Sequence, residues 1–170
     1  MKSIRLLVVV VFLALLGANV QAADSSVYVG AKFGQMMVDE SGFDDATNIG
    51  ILVGYDLVPN ISLEGELTTS VSDADVDFFG ISGDWNVMTL ALYGVFRTPG
   101  EFYFKGKAGV LYEDVEVDIP TLFSESEDDT GFSAGIGGGW RLNDSGSLEV
   151  EFTLIESDLN YLSLGYNIHF

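Results

Sequence analysis

The chain has 170 residues, no cysteine, and 26 acidic against 7 basic side chains, for a formal net charge of −19. Such a charge repels nucleic-acid phosphates, and the missing thiols exclude a disulfide scaffold and any thiolate metal centre. The 12 Phe, 7 Tyr and 2 Trp exclude a disordered acidic tail, and a mean hydropathy of +0.30 means much apolar surface must be covered.

Residues 1–22 read as a secretory signal peptide. Lys2 and Arg5 precede an unbroken apolar run over 6–16, and Val20-Gln21-Ala22 places compact residues where a signal peptidase cuts. A spanning helix needs about 20 apolar residues, so this run is too short for one. The mature chain is expected to start at Ala23, keeping five basic residues against all 26 acids.

From there the period is two. Val27, Val29, Ala31 and Phe33 alternate with Tyr28, Gly30, Lys32 and Gly34; Ile49, Ile51, Val53, Tyr55 and Leu57 alternate with Gly50, Gly54 and Asp56. A third run sets Ile61, Leu63 and Leu67 against Ser62, Glu64 and Glu66. The fourth, 87–97, is apolar on both faces until Arg97, and Met88, Leu90, Leu92 and Phe96 are assigned outward. The fifth sets Phe102, Phe104, Ala108 and Val110 against Tyr103, Lys105, Lys107 and Gly109. In the sixth, Phe132, Ala134, Ile136 and Trp140 face away from Ser133, Gly135, Gly137, Gly139 and Arg141. The seventh opposes Leu148, Val150 and Phe152 to Glu149 and Glu151, and the eighth Leu162, Leu164, Tyr166, Ile168 and Phe170 to Ser163, Gly165, Asn167 and His169. Strict alternation predicts strands, eight of them, near the roughly 9–11 residues a tilted strand needs to cross a bilayer.

Tight turns at Val58-Pro59-Asn60, Thr98-Pro99-Gly100-Glu101 and Asn143-Asp144-Ser145-Gly146 alternate with longer acidic connections at 39–45, 70–84 and 114–129, and a short one at Ser157-Asp158. Short turns on one side and long loops on the other predict an all-β, eight-stranded antiparallel up-and-down transmembrane β-barrel over 23–170. Both termini then lie on the periplasmic side and the acidic loops outside. A soluble sandwich or lipocalin-like barrel also alternates, but would bury its apolar face. Here that face carries no charge, while Lys32, Arg97, Lys105, Lys107 and Arg141 all fall on the glycine-rich face. Tyr55, Phe96, Phe102, Trp140 and Phe170 gather near the turns, as an interfacial aromatic girdle does.

Eight strands enclose a space that side chains fill. The five cations therefore share it with Asp56, Glu64, Glu66, Glu149 and Glu151, and are expected to pair in a network around Lys105 and Lys107, because an unpaired buried charge is costly. No catalytic residue, cofactor or metal is expected. Glu64/Glu66 and Glu149/Glu151 are ion-pair partners before they are an acid and base, and His169, the lone histidine, is read as structural. The glycines at 135–139 open no helix, so a phosphate loop fails. Asp73-Ala74-Asp75-Val76-Asp77 has Phe78 where a calcium loop needs Gly; weak divalent-cation binding by the acidic loops stays as an alternative to a solvated, self-repelling surface.

Leu162, Leu164, Tyr166, Ile168 and the final aromatic Phe170 resemble the terminal assembly signal of the small eight-stranded outer-membrane β-barrels of Gram-negative bacteria, which include the OmpA-like membrane domain and porin-family proteins. The resemblance spans Ala23 to Phe170. It implies outer-membrane lipid and lipopolysaccharide as surroundings, and periplasmic chaperones and the barrel assembly machinery as partners in biogenesis. The interior acid–base set resembles the lumen gate of the OmpA-type barrel. A structural, surface-interaction or narrow-pore role without enzymatic activity is expected. A lipid A-modifying enzyme is the alternative, disfavoured because no His-x-Ser occurs, and an adhesin using the acidic loops is another.

Overall fold

The computed structural model describes residues 27–38, 45–71, 74–78, 81–119, 123–155 and 159–170; the expected signal peptide lies outside them. The strands are β1 (Val27–Val38), β2 (Ala46–Val58), β3 (Ile61–Ser70), β4 (Ala74–Phe78), β5 (Ile81–Arg97), β6 (Phe102–Ile119), β7 (Phe123–Arg141), β8 (Gly146–Leu154) and β9 (Leu159–His169). Each pairs antiparallel with its sequence neighbour, β9 returns to β1, and β3 pairs with β5 over Ile61↔Phe96 to Thr69↔Met88. That last pairing closes a barrel of eight strands, with β4 resting on the far end of β5 outside the ring.

Two of the expected loops are mostly strand. Residues 74–78 pair with 85–81, and the β6–β7 ladder runs on to Ile119↔Phe123. The acids hid a period of two that never stops: Val115, Val117 and Ile119 still alternate with Asp114, Glu116 and Asp118. These hairpins prolong the wall at what is called here the loop end; the 58–61, 97–102 and 141–146 connections mark the turn end.

The pleat sends each assigned apolar row outward. Phe33, Ile51, Leu63, Phe104, Ile136 and Leu164 are exposed, whereas Lys32, Glu64, Glu66, Lys105, Lys107, Glu149 and Glu151 are buried. The fourth run is apolar on both faces for a structural reason. Its inner residues Val87, Ala91, Tyr93 and Val95 join Met36, Leu111, Ile155 and Tyr161 in an apolar cluster that extends from the charged rows towards the loop end, with Asn48, Thr68 and Thr89 buried beside it.

The two halves of the barrel repeat. Gly50, Gly54, Leu57, Ser62, Leu63, Glu64, Glu66 and Thr68 recur at one constant spacing as Gly135, Gly139, Leu142, Ser147, Leu148, Glu149, Glu151 and Thr153, and Tyr28 and Lys32 recur as Tyr103 and Lys107. The ladders repeat with them. Tyr28↔Gly54↔Glu64 on β1–β3 matches Tyr103↔Gly139↔Glu149 on β6–β8, and Lys32↔Gly50↔Thr68 matches Lys107↔Gly135↔Thr153. By the same register, Arg97 at the end of β5 corresponds to His169 at the end of β9.

Candidate functional site

Inward glycines make the beds on which the long side chains lie. A Cβ on Gly54 would enter the ring of Tyr28, and one on Gly139 the ring of Tyr103. Each tyrosine therefore lies across its cross-strand glycine and donates to the next strand's carboxylate. Tyr28 Oη is 2.9 Å from Glu64 Oε2, and Tyr103 Oη is 2.8 Å from Glu149 Oε1.

Pairs at i and i+2 on β3, β6 and β8 then generate two stacked rings of alternating charge. Nearer the turn end, Glu64 and Glu149 alternate with Arg97 and Lys105, at 2.9 Å and 2.8 Å from Arg97 and 3.0 Å and 2.9 Å from Lys105 Nζ. One row further in, Glu66 and Glu151 alternate with Lys32 and Lys107, with all four contacts between 2.6 and 2.8 Å. Lys105 Nζ, 2.8 Å from Glu151 Oε2, joins the rings. Four cations balance four carboxylates, so the eight ring charges cancel one another; such buried groups are tolerated only when each is paired. Tyr93 supports the set from above, with Lys107 Nζ 4.1 Å from its ring centroid.

Glu64, Glu66 and Glu151 bring carboxylate oxygens within 4.8 Å of one another, a spacing that could hold a metal ion. The ammonium groups of Lys32, Lys105 and Lys107 already contact those oxygens. The site is ionic rather than metal-centred.

Two of the interior charges stand apart from the rings. Asp56 accepts from Ser62 Oγ at 2.8 Å. Arg141 donates to the Gly100 carbonyl and lies 4.6 Å over the Tyr103 ring. His169, half-buried, packs on Tyr28 with ring centroids 4.9 Å apart. On the outer face, Leu162, Leu164, Tyr166 and Ile168 form one exposed row of β9 continued by Phe170, flanked by β1 and β8. Near the turns, Trp140 stacks on Phe102 at 5.5 Å and donates to Glu101 at 2.9 Å, while Tyr55, Phe96 and Phe170 are exposed beside them. Asp39, Glu40, Asp44, Asp73, Glu156 and Asp158, six of the loop acids, lie outside the described residues.

Alternation put Tyr28, Tyr93 and Tyr103 on the inner face but missed the apolar layer and what these tyrosines do, bonding Glu64, Ser133 and Glu149. The internal repeat would have found two of these, because Tyr28 and Tyr103 recur with their lysines.

A charge-free outer wall around an interior whose central charges are paired is the arrangement that a bilayer requires. The model of the outer membrane protein beta-barrel domain matches residues 8–170. The chain belongs to this outer-membrane β-barrel family. No curated protein matches its sequence. Among solved structures the barrel resembles Neisserial surface protein A, at 14% identity and a TM-score of 0.67 over 86% of this chain and 98% of that one. It also resembles Ail, the attachment invasion locus protein of Yersinia pestis, at 16% identity and TM-score 0.63 over 87% and 100%. OprG of Pseudomonas aeruginosa matches at 14% identity and TM-score 0.62 over 89% and 99%. At these identities the likeness is one of fold.

Proposed function

We propose that this outer-membrane barrel is a closed, non-enzymatic surface protein: the wall anchors it, the lumen is sealed, and the acidic loop end meets partners outside the cell. The observation that carries the reading is the double plug. The two charge rings close the turn-end half of the interior and the apolar cluster continues the plug towards the loop end, and an ion crossing it would have to displace both. A structural role for His169 is supported by its packing on Tyr28, with no hydroxyl bonded to it among the described residues.

The orientation follows from the loops: the segments at 39–45, 70–84 and 114–129 are acid-rich and without a base, and such segments belong on the outer side while the short turns and both termini face the periplasm. Residues 1–22 direct export, and Leu162, Leu164, Tyr166, Ile168 and Phe170 present the row that the assembly machinery reads after chaperone escort. Ail has been solved in complex with the heparin analogue sucrose octasulfate. The acidic loops here would repel such a polyanion, so a cationic surface or divalent ions bridging to lipopolysaccharide suit them better.

The test is planar-bilayer recording on protein whose folding is first established by heat-modifiable gel migration. Folded protein without resolved conductance steps is the expected result; stable steps from wild-type protein would convert the reading to a narrow pore.

A further inference from the structure

The two halves of the barrel build the same turn-end corner differently. In the first half Ser62 is paired in the ladder with Asp56, donates to its carboxylate at 2.8 Å, and accepts from Arg97 Nη1 at 3.1 Å. In the second half the counterpart serine, Ser147, is paired with Arg141. At the Arg97 position stands His169. The repeat has thus replaced the acceptor by a donor and kept the hydroxyl.

Three consequences are visible. Ser147 is 2% exposed and its Oγ, beside the Tyr103 hydroxyl, has no hydrogen-bond partner within 3.5 Å. A buried hydroxyl in that state calls for an explanation. Arg141, alone among the five cations of the described barrel, has no carboxylate of a described residue within 4 Å. Finally, Arg141, Ser147 and His169 all line one pocket of about 430 Å³ at the turn end, with Asn143, Asp144 and Ser145 of the β7–β8 turn.

We propose that this pocket binds a small oxyanion, a phosphate or carboxylate group, which takes the place that the Asp56 carboxylate fills in the first half. Arg141 supplies the charge, Ser147 Oγ donates to the bound oxygen, and His169 closes the third side. Packing over the Tyr103 ring, 4.6 Å from its centroid, limits where the planar guanidinium fork can go, and bidentate capture of an oxyanion gains from that. Asp144 on the rim opposes the charge, so the site favours a ligand with a hydroxyl or ammonium beside its anionic group. Whether the phosphate belongs to a free solute or to a lipid headgroup at the turn-end interface, the chemistry recognised is the same.

The experiment uses the folded barrel in maltoside micelles free of phosphate, followed through its backbone amides by NMR. Inorganic phosphate should produce saturable shifts at Ser145, Ser147 and His169, and leave Ser62 unmoved. Arg141→Gln should weaken the midpoint by about tenfold, and Asp144→Asn should tighten it. Arg141→Asp restores the first-half pairing; it should abolish binding while keeping the folded gel mobility. A parallel series doped with short-chain phosphatidic acid separates the sources: saturation by the lipid alone assigns a headgroup site, and saturation by inorganic phosphate assigns a solute site. Saturation by neither up to about 50 mM, or equal binding by Arg141→Asp, overturns the proposal.

Discussion

Strands β1, β2, β3 and β5 form one half of the barrel, and β6 to β9 the other. Both lay a tyrosine over a glycine, aim it at a glutamate, and set a lysine over the next glycine along. In the ring further from the turn end this symmetry is complete: Lys32 and Lys107 alternate with Glu66 and Glu151. It breaks at the turn end. Lys105 has Gly30 as its counterpart, Arg141 has Asp56, and His169 has Arg97. The lesson is that the repeated part makes the scaffold and the unrepeated part makes it specific. Lys105 ties the rings together, and the Arg141 corner is left with a hydroxyl and a cation that the chain itself does not satisfy.

Breaking the asymmetric tie should cost most. Lys105→Met leaves Glu64, Glu149 and Glu151 short of a shared cation, and breaking a buried pair this way costs about 3–5 kcal/mol. The urea midpoint for loss of folded gel mobility should fall accordingly, with part of the protein failing to refold. The symmetric ring gives a sharper comparison. Glu66→Gln and Glu151→Gln remove counterpart carboxylates, each losing charge-assisted bonds worth about 1.5–3 kcal/mol. Glu151→Gln should be the worse of the two in the same titration, because Glu151 also holds Lys105.

Glycine substitutions test the tyrosine beds. Gly54→Ala and Gly139→Ala should lose similar amounts, about 1–3 kcal/mol, since in each the new methyl group meets a tyrosine ring. Gly106→Ala, on the outer face with nothing within 4 Å of the added carbon, should leave the midpoint unchanged. The smallest effect separates the two corners. Ser62→Ala removes bonds to Asp56 and Arg97 and should cost about 1 kcal/mol, while Ser147→Ala, whose hydroxyl has no partner, should be neutral in phosphate-free micelles. Equal losses at Ser62 and Ser147 would mean the corners are alike after all.

Much of this barrel was legible from residue order. A side chain's face depends on its neighbours in the strand, so a period of two assigns lipid-facing and interior rows locally; Phe104, Ile136 and Leu164 needed nothing further. Tight turns carry their own chemistry in Pro59, Gly100 and Asn143, and these set the meander. The acidic hairpins misled because charge suggests loops, although Val115, Val117 and Ile119 kept the strand period beneath it.

What the order of residues could not determine is which interior groups meet. Arg97 reaches Glu64, and Lys107 reaches Glu66, over the β3–β5 seam, and those distances depend on ring closure there and on the stagger of the ladders. The apolar loop-end layer is likewise a product of closure, since Met36, Leu111 and Tyr161 share no local pattern. Local alternation set the wall, because pleating is a nearest-neighbour property. Only the closed barrel decided that Ser62 has an acceptor and Ser147 has none, because hydrogen bonding is settled by what stands opposite in space.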